Sequence, residues 1–204
     1  MRRFGWTSGV GGALVLVAFA GLAFALFQNR ADETQDGLAD GTEMPPFAAP
    51  LVRSDLDGDA NYATEADEGG PGNKPACDVR GPKILNSCAL AERGPVVVAF
   101  VARVGECMDQ LRALQELQDD RKDLQVAAVA IKGDRDDLRA DLDRLGIRIP
   151  VGWDRDGALS NVYNVIVCPQ TTFTDQGGMV RATTFGMTGL AELRRRTDRL
   201  QAAP

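Results

Sequence analysis

The sequence predicts an α/β domain in which a central mixed sheet carries helices on both faces. Three observations lead to that reading. Two continuous apolar, β-branched runs, "PVVVAFVA" (95–102) and "LQVAAVAI" (124–131), have the pattern of strands covered on both sides. Each is followed by a segment whose apolar residues recur at helical spacing. Near the end of the chain, two strand-like segments are joined by "QGG", which marks an antiparallel hairpin.

The elements follow in order. After the first run, Cys107, Leu111 and Leu114 fall at i, i+4 and i+7, a helix face aimed at the core. After the second, "DRDDLRADLDRLG" (134–146) opens on Asp134, sets Leu138, Leu142 and Leu145 on one side and stops at Gly146. "IPVGWD" (149–154) begins a short strand and "DGALSNVYNV" (156–165) a short helix. Past Pro169, "QTTFTD" (170–175) and "MVRATTFG" (179–186) make the hairpin, and "TGLAELRRRTDRLQ" closes the chain as a helix. The order is β-α-β-α-β-α-β-β-α, and the domain is expected over residues 76–204.

The segments before it differ in charge. Residues 1–27 carry +2, residues 28–74 carry 3 basic and 11 acidic side chains, and residues 75–204 carry 18 of each. Neither half has the concentrated basic face that a nucleic-acid partner requires. No charge occurs between Arg3 and Arg30, and residues 10–27 are almost wholly apolar. About 18–22 such residues cross a hydrocarbon core, so a transmembrane helix in contact with membrane lipid is expected. Arg2 and Arg3 favour a cytoplasmic N-terminus (1–9) and an extracytoplasmic remainder. A cleaved signal peptide is the rival; Leu26, Phe27, Gln28 and Asn29 make a poor cleavage site, which favours an uncleaved single-pass anchor in the cell membrane. Residues 28–75, rich in Asp, Glu, Gly, Pro and Ala, read as an acidic flexible linker, with "MPPFAAPLV" (44–52) able to dock as an edge strand.

Four cysteines (Cys77, Cys88, Cys107, Cys168) and no histidine suit an oxidising compartment. The missing histidines remove Ser-His and Cys-His hydrolysis and the common His-ligated zinc sites. "DLDGDAN" (55–61) alternates acidic residues as a calcium loop does. It has Ala60 and Ala66 where that pattern needs Gly and Glu, so a solvated acidic turn is expected. No metal and no cofactor are expected. Cys77 and Cys88, separated by ten residues in a segment with little core, are expected to form a stabilising disulfide. Four cysteines allow three pairings.

The element order resembles the thioredoxin-like superfamily over residues 94–200, and within it the membrane-anchored, extracytoplasmic TlpA-like or redoxin proteins. The strings that carry the resemblance are "PVVVAF", "CMDQLRALQEL", "DRDGALSNVYNV" and "CPQTTFTDQGGMV". The resemblance implies a thioredoxin-like fold, thiol–disulfide exchange with protein thiols or disulfides, and a cis-proline at Pro169 that borders a substrate groove. Three departures stand out. Aligning the helix leaves Cys107 at the second position of the family's C-x-x-C, with Val104 and Gly105 where the first cysteine belongs. Ala99 occupies the place of a buried proton-relaying acid, and "VARVGEC" lacks the P-x-x-x-T-x-x-C loop of peroxiredoxins. Cys168 stands before the cis-proline, a position that the resemblance places against the start of the redox helix.

By that resemblance, Cys107 and Cys168 are neighbours, and the preferred pairing is 77–88 with 107–168. Cys107, at a helix N-terminus that favours a thiolate, is expected to be the nucleophile and Cys168 its resolving partner. Glu106 would oppose the thiolate if close. Inert core packing is the plain alternative for both cysteines. The rival to an enzyme is a binding module that keeps the fold and holds its cysteines as structural disulfides. Arg194, Arg195 and Arg196 read as ordinary helix charge, and Trp153 and Tyr163 as core or rim.

Overall fold

The computed structural model describes residues 37–66 and 74–202. The expected anchor (10–27) lies outside the described residues, among which no helix is long and apolar enough to cross a membrane. The strands are β1 (Ala48–Pro50), β2 (Ile84–Asn86), β3 (Val96–Val101), β4 (Gln125–Ile131), β5 (Val151–Asp154), β6 (Gln170–Thr174) and β7 (Val180–Phe185). The helices are α1 (Ser87–Arg93), α2 (Gln110–Asp120), α3 (Arg135–Arg144), α4 (Ala158–Val162) and α5 (Leu190–Ala202).

The central sheet has the order β5-β4-β3-β6-β7. β3, β4 and β5 run parallel, as strands joined by helical crossovers must, while β6 and β7 add antiparallel. Every residue of β3 is buried. Because side chains alternate across a strand, Val97, Ala99 and Val101 join one core with Leu111, Leu114 and Leu117 of α2, Leu138 and Leu142 of α3, and Leu193 of α5. Val96, Val98 and Phe100 join a second core with Leu90 of α1 and Leu159 of α4. Helices therefore cover both faces, as the unbroken apolar runs require.

The largest difference from expectation lies in the N-terminal segment. Residues 37–66 are packed onto the domain, where composition leaves only 44–52 able to dock and the rest as flexible linker. At one edge of the sheet, Gly41 and Thr42 exchange backbone hydrogen bonds with Val180 (both 2.8 Å), and Met44 N–H donates to Gly178 (2.9 Å). The chain then crosses the second face, burying Phe47 and Ala49, and pairs β1 with β2. At the opposite edge, Val52 N–H donates to Val151 of β5 (2.8 Å). This strap thus occupies both sheet edges, the places where an exposed strand invites pairing with another chain. Gly152 permits the close approach of β1 and β2, since a Cβ there would lie 3.1 Å from Ala49 and from Leu85.

Arginines on both sides tie the strap to the domain. Arg135 donates to the carbonyls of Leu51 (2.6 Å) and Leu56 (2.7 Å), and Arg53 reaches Ile147 O and Asp143 (both 2.5 Å). The acidic turn is also paired rather than simply solvated: Asp55 meets Lys83, while Asp57 and Asp59 meet Arg155. Composition alone gives no sign of these partners, which come from distant elements. The structure also adds a helix the pattern did not supply. α1 is capped by the Asn86 side chain, which accepts from Ala89 N–H at 2.9 Å.

Candidate functional site

The site forms where β3 ends. Residues 102–106 turn sharply, with Val104 N–H donating to Ala102 O (2.8 Å) and Cys107 N–H to Val104 O (3.1 Å). Gly105 takes φ 48°, a left-handed conformation that suits glycine. Arg103 fixes the turn from outside, pairing with Asp137 (2.5 Å) and Asp141 (2.7 Å) on α3. Cys107 does not open the α-helix itself. It begins a short 3₁₀ turn, Cys107–Asp109, and α2 starts at Gln110. The exposed Glu106 precedes that turn.

The second half of the site is the loop before β6. The Cys168–Pro169 peptide bond is cis, as the resemblance implied. Pro169 O accepts from Gly186 N–H (2.8 Å), so the loop after β7 lies beside it. That neighbouring loop is held by Gln110, which sequence reasoning missed. The Gln110 amide accepts from Thr188 N–H (2.7 Å) and donates to Thr188 O (3.0 Å). A fully buried glutamine three residues after Cys107, on the core side of a helix, is the signal that could have found it.

Cys107 and Cys168 are joined as a disulfide, with Cα atoms 5.5 Å apart, inside the span such a bond requires. The two sulfurs sit in different surroundings. Cys107 is 4% exposed, belongs to the first core, and its Sγ accepts from Ala102 N–H at 3.3 Å. Cys168 is half-buried, and its chain neighbours Ile166 and Val167 are exposed. Among the described residues, seven large apolar side chains are exposed; five of them, Val104, Ile166, Val167, Phe185 and Met187, lie on this turn, the cis-proline loop and the end of β7 with the loop after it. Val104 stands where the resemblance places the family's first cysteine.

Cys77 and Cys88 form a second disulfide, with Cα atoms 5.4 Å apart, tying the 3₁₀ turn Ala76–Asp78 to α1. Asn86 supports the same turn by donating to Ala76 O (2.8 Å) and Val79 O (2.9 Å). This pair lines a cavity of about 380 Å³ with Glu43, Met44, Glu92 and Gly178, next to the turn between β6 and β7. It is not part of the Cys107–Cys168 site. Among the described residues, no cluster of His, Cys, Asp or Glu is arranged to hold a metal ion. The Arg194 to Arg196 cluster pairs with Asp120 and Glu192. Tyr163 is fully buried, its hydroxyl donating to Pro45 O at 2.7 Å.

One buried acid stands apart. Asp154 closes β5 and accepts from Leu159 N–H (3.2 Å) and Ser160 N–H (3.3 Å) at the start of α4. Burial pushes its carboxyl up to about 6, against the opposing pull of those two hydrogen bonds.

A mixed five-stranded sheet with helices on both faces and a cis-proline loop opposite a cysteine turn defines a thioredoxin-like domain. More narrowly, the chain belongs to the AhpC/TSA family, which it matches over residues 78–183. Among solved structures it is similar to a thiol:disulfide interchange protein of the thioredoxin family from Chlorobium tepidum, at 16% identity and TM-score 0.58, covering 80% of this chain and 98% of that one. It is also similar to a secreted disulfide oxidoreductase from Mycobacterium tuberculosis, at 16% identity and TM-score 0.50, covering 59% and 89%. A third is StoA from Bacillus subtilis, at 15% identity and TM-score 0.50, covering 56% and 88%. These likenesses concern the fold, and they are consistent with the TlpA-like branch. No curated protein matches the chain.

Proposed function

We propose that the protein is a membrane-anchored, extracytoplasmic thiol–disulfide exchange protein working through the Cys107–Cys168 pair on protein thiols or disulfides. The observation that supports this best is the setting of that disulfide. Cys168 is half-buried beside the cis-proline, and most of the exposed large apolar side chains lie on the cysteine turn and the segments next to that loop. An apolar rim around a reactive bond suits a protein partner. The peptide backbone beside Pro169 would pair with the partner's extended chain, as the family resemblance implies. The extracytoplasmic setting is supported by the apolar run at 10–27 behind Arg2 and Arg3, and by four cysteines that all form disulfides.

The second reading is a binding module in which both disulfides are structural. It is favoured by Ala99, which leaves the site without a buried proton-relaying acid, and by the burial of Cys107. The reduction potential of the Cys107–Cys168 pair separates the two, measured by equilibrating the protein with thiol buffers and trapping the free thiols. A working couple lies above about −300 mV and a structural bond well below it. The anchor has its own test, N-terminal sequencing of protein from the membrane fraction. A start beyond residue 25 would replace the uncleaved anchor with a removed signal peptide.

A further inference from the structure

The exchange reading leaves open which sulfur meets the partner, and the geometry points to Cys168. We infer that the mixed disulfide forms on Cys168, in the cis-proline loop, while Cys107 is the buried sulfur that leaves and later returns. This rests on the exchange reading and reverses the roles expected from the sequence, where Cys107 was the nucleophile by its place before a helix.

Thiol–disulfide exchange is an in-line displacement, in which the attacking, central and leaving sulfurs lie nearly on one line. The attacker must approach the central sulfur from the side away from its leaving partner, so access selects the sulfur that is attacked. Cys107 lies in the first core with Val101, Met108 and Leu111 and is only 4% exposed, which leaves an attacker little access to it. Cys168 packs against that core from its rim, is only half-buried, and follows the exposed Ile166 and Val167, so an attacker reaches it more readily.

The leaving group is prepared as well. A thiolate on Cys107 keeps the Ala102 N–H, 3.3 Å from its Sγ, and sits one short turn before the eleven-residue α2. Both stabilise negative charge, and a more stable leaving thiolate departs faster.

The step balances. A partner thiolate attacks Cys168 Sγ, a partner–Cys168 disulfide forms, and the Cys168–Cys107 bond breaks with its electron pair going to Cys107. A second partner thiolate then attacks the partner's own sulfur and releases Cys168 as a thiolate. The partner gains a disulfide, the Cys107–Cys168 pair gains two electrons, and the partner's two thiol protons end on the two cysteines. In the opposite direction, a Cys168 thiolate attacks a partner disulfide, and Cys107 then displaces the partner from Cys168. The geometry also accounts for the missing first cysteine. The outward position that the helix turn fills in the family's standard dithiol is held here by Val104, and Cys168 supplies the outward sulfur from the opposite loop.

The test uses the full chain with glutathione as probe. Folded Cys107→Ser and Cys168→Ser variants are exposed to glutathione disulfide, and the adducts are located by mass spectrometry. Cys107→Ser is expected to take up glutathione on Cys168 at least about tenfold faster than Cys168→Ser does on Cys107, because attack requires access to the sulfur. Because a serine at buried position 107 can weaken folding, wild-type protein is also treated with reduced glutathione, acid-quenched and peptide-mapped. Glutathione should then be on Cys168, with Cys107 free. Glutathione on Cys107, or equal rates in the two variants, overturns the role assignment while exchange itself stands. If glutathione neither opens the wild-type bond nor labels either folded variant, the exchange reading fails and the assignment falls with it.

Discussion

Phe47 offers the sharpest test of the strap, because composition allows its segment at most to dock at an edge and the structure places its ring in the core. Its ring is fully buried and meets Tyr163 edge-on, with centroids 5.8 Å apart and planes at 77°. Its backbone exchanges hydrogen bonds with Ser87, N–H to Oγ at 2.8 Å and carbonyl from N–H at 2.9 Å. Phe47→Ala keeps those backbone bonds and removes the ring alone. A Phe→Ala change in a packed core costs about 3–5 kcal/mol, of which roughly 0.5–1.5 kcal/mol belongs to the ring–ring contact. With a urea dependence of about 2 kcal/mol per molar for a domain this size, the unfolding midpoint should fall by roughly 2 M. The assay is urea unfolding followed by circular dichroism, with Leu56→Ala as the control. Leu56 lies in the same strap but is exposed, so its loss should change stability by less than about 0.5 kcal/mol. Equal midpoint shifts for the two variants would refute the reasoning, since the strap would then lie outside the cooperative core.

Three further outcomes are expected. Asp154 has a folded pKa of about 6 against 3.8 for the free carboxyl, so its contribution to stability is full below about pH 4 and is lost as pH rises through 6. Asp154→Asn should therefore gain on the wild type by about 2 kcal/mol between those limits, and urea midpoints that stay parallel with pH would contradict this. Cys77→Ser with Cys88→Ser should cost about 3 kcal/mol or less and leave glutathione exchange at Cys168 intact; a folded double variant without exchange would make that pair part of the reaction. Gln110→Ala strips the buried Thr188 N–H and carbonyl of their side-chain partners and should destabilise by about 1–3 kcal/mol in thermal unfolding, whereas an unchanged melting temperature would remove Gln110 from the loop's support.

The central sheet was legible because β3 and β4 are buried on both faces, and only unbroken apolar runs such as Val96–Val101 satisfy that burden. The strap was not. Its buried residues are mostly small, Ala48, Ala49, Ala60 and Ala63, so average hydropathy hides them. The lysine and arginine that pair with its acids are residues 83 and 155, and Arg135 holds its carbonyls, partners that no local window includes. At the site, resemblance brought Cys107 and Cys168 together, but their separation of 61 residues carries no local signal. Which sulfur faces outward is a property of packing, and the helix-start rule that favoured Cys107 is blind to it.

The strap also sets an order in time. It leaves the ribosome before any strand of the central sheet, yet the backbone groups that hold Gly41, Thr42 and Met44 belong to residues 178–180, near the other end of the chain. Those partners do not exist until the last strand of the central sheet has been reached. During synthesis, which runs at about 5–20 residues per second, Phe47 must wait exposed for Tyr163, and the edges of the growing sheet stay open until the strap closes over β5 and β7. Closure of the strap therefore waits on the making of β7, and the interval before it is when a holding chaperone has the most apolar surface to grip.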